Sequence, residues 1–318
     1  MIDLASVDFV GSDLRRPECV LSMPNGDLHI ADWRGGITVI HPDGPQRTVL
    51  ADGAFKPKPN GFALHPDGGW LLAHLGDADG GVYWLKPDGA LSPFLLEIDN
   101  APLPPTNYIH VDANHRFWIT VSTRVQPRGD DYRPDASSGF AVLVDEAGAR
   151  IVADDLGYAN ECLIHPEDGM LYINETFTRK TSRYPVGADG TLGPKEIVAE
   201  YGAGTFPDGL TFDAEGGFWI TSIVSNRVIR VLPDGRQHTM LEDCDPAFMD
   251  WVEEAFQDKS MGRPHLDNNK GKVLRNISSL AFGGMDLKDC YLGCLLGDRI
   301  GRFRSPVAGL PPSHWSFA

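Results

Sequence analysis

Six oxygen-bearing side chains recur at one register of this sequence: Glu18, Asn60, Asn107, Asn160, Asp208 and Ser278. Each stands ten to twelve residues ahead of a larger residue, in turn Leu28, Trp70, Phe117, Leu171, Phe218 and Cys290. Two carboxylates brought together repel unless a cation or a proton compensates. All six side chains are oxygen donors and none is histidine. Such a set suits Ca²⁺ first, then Mg²⁺ or Mn²⁺, with Zn²⁺ less natural. The competing role is mutual hydrogen bonding, with the six satisfying one another and neighbouring backbone.

The elements that must position them follow from the repeat. The residues from Leu28 to Cys290 mark equivalent segments such as Gly26-Asp27-Leu28-His29-Ile30-Ala31 and Gly216-Gly217-Phe218-Trp219-Ile220-Thr221, spaced by 42, 47, 54, 47 and 72 residues. Second strands follow, as at Gly36–Ile40 and Arg227–Leu232, and several end at Pro-Asp-Gly (42–44, 87–89, 233–235), a tight-turn signal. No amphipathic helices alternate with the strands, which excludes a parallel α/β fold. A β-sandwich does not account for six copies. The pattern predicts an all-β fold, a six-bladed β-propeller with four-stranded antiparallel blades, spanning residues 1–318 as one domain. All innermost strands of a propeller start at one end of its channel, so the six polar residues form a ring at that mouth.

Two long segments open on the same face, 124–139 and 242–276. The second contains apolar residues at 251, 252, 255 and 256, the spacing of a short amphipathic helix. Both are expected to act as lids, with an interface between copies as the alternative for 242–276. Tyr108, Phe177, Trp251 and Phe256 are expected to line an apolar pocket.

With 44 acidic against 28 basic side chains the net charge is −16, which leaves no basic footprint for nucleic acid or an anionic membrane. No apolar run reaches the ~18 residues of a membrane span, and the first residues lack a secretory leader's pattern. Five cysteines, an odd count in a long chain, fit a reducing cytoplasm rather than a disulfide framework. No serine-nucleophile elbow, phosphate-binding loop or dinucleotide fingerprint is present.

At Arg16-Pro17-Glu18, Thr106-Asn107-Tyr108, Ala159-Asn160-Glu161 and Phe206-Pro207-Asp208-Gly209 the sequence resembles the senescence marker protein/gluconolactonase group, which includes regucalcin and bacterial lactonases. The resemblance spans residues 14–305 and is weakest between 236 and 277. It implies a propeller with one divalent metal at the channel mouth, held by Glu18, Asn160 and Asp208. It also implies that Asn107 faces the attacking water or the substrate, and that Asp208 is the general base. The chain departs from the group where Pro105 replaces a sugar-reading arginine, where Tyr108-Ile109 follow Asn107, and where Glu161 follows Asn160.

The expected activity is therefore a metal-dependent lactonase, a hydrolase opening a lactone or related cyclic carbonyl less hydroxylated than a sugar lactone. Expected substrate contacts are Asn60, Asn107, Tyr108, Glu161, Phe177 and Trp251. Alternatives are organophosphate hydrolysis or a lyase-type step at the same site, or a non-enzymatic ligand- or calcium-binding propeller. The expected partner is a small-molecule substrate, and the chain a monomer or homodimer.

Overall fold

The computed structural model describes residues 1–317. Six four-stranded antiparallel sheets form the blades of a β-propeller. Their innermost strands are Val20–Ser22, Pro59–Leu64, Thr106–Val111, Ala159–Ile164, Phe206–Phe212 and Ile277–Gly283. From blade two to blade six consecutive inner strands contact one another, Pro59–Leu64 meets the second strand of blade one, Leu28–Asp32, and Ile277–Gly283 returns to Val20–Ser22, which closes the ring. The strands that follow the inner ones open at or next to the six marker residues, for example at Trp70–His74 and Phe218–Ile223.

Five blades are built from consecutive strands. The sixth is completed by the N-terminal strand Asp8–Val10, which pairs with Ile300–Arg304 as its outermost member. The first and last strands of the chain thus share one sheet, which joins the two ends of the ring. The Pro-Asp-Gly tripeptides form the turns between third and fourth strands in blades one, two and five.

Apolar side chains fill the space between blades. Trp118 and Trp219 are fully buried there. Each donates its indole N–H to the aspartate that follows its own blade's inner strand: Trp118 to Asp112 Oδ2 at 2.9 Å, Trp219 to Asp213 Oδ2 at 2.7 Å. A buried indole with a partner retains its apolar contribution without the cost of an unmade bond.

The segment 124–139 joins the second and third strands of blade three. The segment 242–276 joins blades five and six and carries two helices, α1 (Pro246–Gln257) and α2 (Arg263–Asp267). Asp245 caps α1 by accepting from Phe248 N at 2.8 Å, with Pro246 at the first helical position. Phe248, Met249, Val252, Ala255 and Phe256 are its buried face, and they cluster with Tyr132, Ala136, Tyr158, Phe177 and Phe206. The two insertions therefore pack against each other and against blade loops. Among the described residues no helix is long and apolar enough to cross a membrane.

Candidate functional site

All six ring residues are buried, from Ser278 at 0% exposure to Glu18 and Asn107 at 6%. In five inner strands the pairing with the next strand slips at the ring position. The slips fall between Pro59 and Phe62, Thr106 and Tyr108, Ala159 and Cys162, Pro207 and Leu210, and Ile277 and Leu280. A bulge takes a residue out of the ladder and re-aims its side chain. Here it frees Asn60, Asn107, Asn160, Asp208 and Ser278 from regular alternation. Gly209 lies inside one slip, where a Cβ would come within 2.6 Å of the Ser278 carbonyl, so the neighbouring blade leaves room only for glycine.

The freed carbonyls are satisfied across blades. Thr120 Oγ1 donates to Asn160 O at 2.6 Å, and Asn174 Nδ2 donates to Asp208 O and Gly209 O, both at 3.0 Å. Thr221 Oγ1 donates to Ser278 O, and Ser278 Oγ donates to Glu18 O at 2.9 Å. Thr120, Asn174 and Thr221 all stand three residues after a marker residue. That recurrent polar position is the sequence signal for these supports, and it lies outside the ring register.

The electrostatics favour a compensating charge. Burial holds the Asp208 carboxyl well above the usual carboxylate range, and Glu18 and Glu161 push it further up. Burial also raises Glu18, against the pull of Arg16 and Arg128. Arg16 Nη2 stands 3.3 Å from Glu18 Oε2 as an ion pair, but Oε2 has no hydrogen-bond partner. The Arg16 guanidinium in turn lies 4.3 Å from the Trp33 ring centroid. Glu161 accepts from Leu210 N at 2.8 Å, and burial pushes its carboxyl up to about 8.

Among the described residues, the ring oxygens Asn60 Oδ1 and Asn107 Oδ1 are buried without a hydrogen-bond donor, and Glu18 Oε2 meets only the Arg16 guanidinium of its ion pair. Asn107 gives its amide nitrogen to Ser122 Oγ at 2.9 Å, and Asn160 gives its own to Thr176 Oγ1 at 3.1 Å. Both amides are thereby fixed nitrogen-outward and keep oxygen for another partner. Unpaired buried oxygens are costly unless a ligand meets them. Among the described residues no three His, Cys, Asp or Glu side chains gather as metal ligands. A cation here would rest on two carboxylates completed by amide oxygens. That donor set fits a hard cation such as Ca²⁺.

The expected substrate contacts divide. Phe177 joins the apolar cluster under the insertions, stacked on Tyr132 at 4.5 Å. Tyr108 instead belongs to the main interblade core. It lines the central channel with Glu161, in a cavity of 1340 Å³ that runs away from the ring to His314. Trp251 is corrected by the structure: it is 43% exposed and stacks on His265 at 4.1 Å, while α1 buries Val252 and Phe256. None of the six ring residues lines this cavity; the buried oxygens without donors are on the ring, and the chemistry belongs there.

A model of the SMP-30/gluconolactonase/LRE-like region matches residues 16–243. The chain belongs to this family. A 6-deoxy-6-sulfogluconolactonase of Pseudomonas putida is 31% identical over 185 residues, covering 55% of this chain and 57% of that relative. The chain thus spans little more than half of that relative's length. A regucalcin of Agrobacterium tumefaciens, described as a calcium-binding protein, superposes with a TM-score of 0.66 at 18% identity over 96% of both chains. A gluconolactonase of Xanthomonas campestris gives a TM-score of 0.66 at 17% identity, over 95% of this chain and 91% of its own. At those identities the two structures show the shared fold. The family membership accords with the ring: the match spans the first five of its residues, Glu18 through Asp208.

Proposed function

We propose that this chain is a divalent-cation-dependent lactonase acting at the ring of Glu18, Asn60, Asn107, Asn160 and Asp208. The observation that carries this reading is the set of buried oxygens without donors beside two carboxylates. The family and the sulfogluconolactonase relative support it. They lend no support to a substrate poorer in hydroxyls than a sugar lactone, and the free amide oxygens of Asn60 and Asn107 suit hydroxyl donors. The expected substrate is accordingly a hydroxylated lactone.

Glu18, Asn160 and Asp208 would hold the cation, which supplies Lewis-acid polarisation of the ester carbonyl when bound. Asn107, its nitrogen committed to Ser122, presents only an acceptor, so it orients the attacking water or a substrate hydroxyl. Asp208 takes the proton of that water at a carboxylate oxygen. Arg16 opposes the protonation of Glu18 that burial favours. Phe177 and the α1 face bring apolar surface over the mouth, which limits water around the reacting carbonyl.

The test is hydrolysis of gluconolactone and a panel of less hydroxylated lactones by chelated protein, titrated with Ca²⁺, Mg²⁺, Mn²⁺ and Zn²⁺. Cation-dependent turnover supports the reading. Tight cation binding with no turnover of any lactone overturns it in favour of a calcium-binding propeller.

A further inference from the structure

Arg128 differs from every other arginine of the chain. Among the described residues the rest make an ion pair or a hydrogen bond, most of them to carboxylates; Arg47 reaches Pro87 O and Arg275 reaches Gly271 O. Arg128 makes neither, and its Nη1 is buried without an acceptor. Carboxylates are not scarce, since acidic residues outnumber basic ones 44 to 28. An unpaired buried guanidinium donor costs stability, so its retention points to a partner outside the chain.

Its place in the fold indicates what that partner is. Arg128 opens the short turn Arg128–Asp131 within the 124–139 insertion. It lies within electrostatic reach of Glu18, Arg16 and the Tyr158 hydroxyl. Arg263, at the start of α2, also acts on Arg16 and lies beside the Tyr132 hydroxyl. The Tyr132 and Tyr158 rings meet edge to face at 5.5 Å. Arg128 and Tyr132 of the first insertion, Arg263 of the second (shared with Asp267 at 2.6 Å) and Tyr158 of the turn before blade four thus flank the mouth of an otherwise acidic molecule. Guanidinium forks match the oxygens of sulfonate and phosphate. An anion is repelled by Glu18 and Asp208 at the ring, and accepted at this rim.

We propose that Arg128, with Arg263, Tyr132 and Tyr158, forms a subsite for an anionic substituent of the lactone, a sulfonate or phosphate carried away from the ring carbonyl. The proposal rests on the lactonase reading and names the substrate class of that same site.

The experiment is calorimetric binding of gluconate, 6-phosphogluconate and 6-deoxy-6-sulfogluconate to the chelated and the Ca²⁺-loaded protein. At least one anionic acid is expected to bind tenfold or more tighter than gluconate, and the tighter of the two identifies sulfonate or phosphate. Arg128→Met should erase that advantage, and Arg128→Lys should restore part of it. Equal binding of all three acids, or a preference that survives in Arg128→Met, overturns the proposal. In parallel, the ratio of kcat/KM for the charged over the uncharged gluconolactone should fall at least tenfold in Arg128→Met. A proportional loss on both lactones assigns Arg128 to the reaction or the fold and likewise overturns the subsite. Absence of all lactone hydrolysis sinks the lactonase reading alone, because the binding preference is read without turnover.

Discussion

Asn174 of blade four donates its amide to the backbone carbonyls of Asp208 and Gly209 in blade five, both at 3.0 Å. The contact holds the bulge that aims Asp208 at the mouth, and Asn174 accepts in turn from Thr181 Oγ1 at 2.7 Å. Asn174→Ala leaves two buried carbonyls and a hydroxyl short of partners. It should cost about 2–3 kcal/mol in chemical denaturation and weaken Ca²⁺ binding. Threonine serves the equivalent position in blades three and five, at Thr120 and Thr221. Asn174→Thr should therefore recover much of both losses. Identical behaviour of the two variants would show that the cross-blade bond does not position Asp208.

Arg16 and a bound cation compete for Glu18. The guanidinium already stands 3.3 Å from Oε2, and a cation at the ring would add positive charge beside it. Arg16→Met removes the competitor but leaves a buried carboxylate uncompensated. The metal-free protein should lose about 3 kcal/mol, while Ca²⁺ should bind roughly tenfold tighter, or about 1.4 kcal/mol. Thermal unfolding with and without Ca²⁺ reads both effects. Weaker Ca²⁺ binding in the variant would mean that Arg16 organises the site rather than opposing the cation.

Asp208→Asn keeps shape and removes the second carboxylate. Lactone turnover should fall by at least two orders of magnitude, the usual contribution of a general base, even when Ca²⁺ is saturating. Near-normal turnover at saturating Ca²⁺ would remove Asp208 from the base role.

The ring was legible in the sequence because a propeller repeats one frame, so residues at equal distance from Leu28, Trp70, Phe117 and Phe218 must meet at one radius. The bulges were not, since a slip in register leaves no mark in composition. Closure of blade six by Asp8–Val10 was also hidden: a three-residue strand with an exposed face carries no pattern. Trp251 was misplaced because periodicity finds an apolar stripe but not its centre. The stripe of α1 is centred on Val252 and Phe256, which leaves Trp251 at its margin. Arg128 is informative only once every other arginine has a partner, and that is a property of the folded chain.

The helical insertion is latched to blade four. Glu253 of α1 pairs with Arg179 and accepts from Gly204 N at 2.7 Å. The Arg179 guanidinium lies 4.4 and 4.0 Å from the ring centroids of Phe206 and Phe256. A hydrogen bond to a charged group contributes about 1.5–3 kcal/mol. Glu253→Gln should therefore speed amide exchange over 246–267 by roughly ten- to hundredfold, with the blade strands still protected. Unchanged exchange there would mean that apolar packing alone holds the insertion.

The far end of the channel is lined by a buried histidine that must stay neutral. His314 Nε2 lies 2.8 Å from Ser22 O, and Trp315 Nε1 donates to the same carbonyl at 2.7 Å. Ser313 Oγ donates to Val111 O at 2.7 Å, so this segment bridges blades one and three. Burial pushes His314 down to about 4, and His110, facing it with Asp112 in the same channel, is likewise pushed to about 4. An unfolded histidine titrates near ~6.5. Between that pH and about 4 the unfolded chain binds a proton that the folded chain refuses, so stability falls as pH falls. The contribution is complete above the unfolded value, and His314 alone accounts for about 3 kcal/mol across the window. His314→Gln keeps a donor for Ser22 O and cannot titrate. Urea denaturation at pH 7.5 and 4.5 should show wild type losing about 2–3 kcal/mol more than the variant. Equal losses would place the acid sensitivity elsewhere, in His110 or in the ring carboxylates.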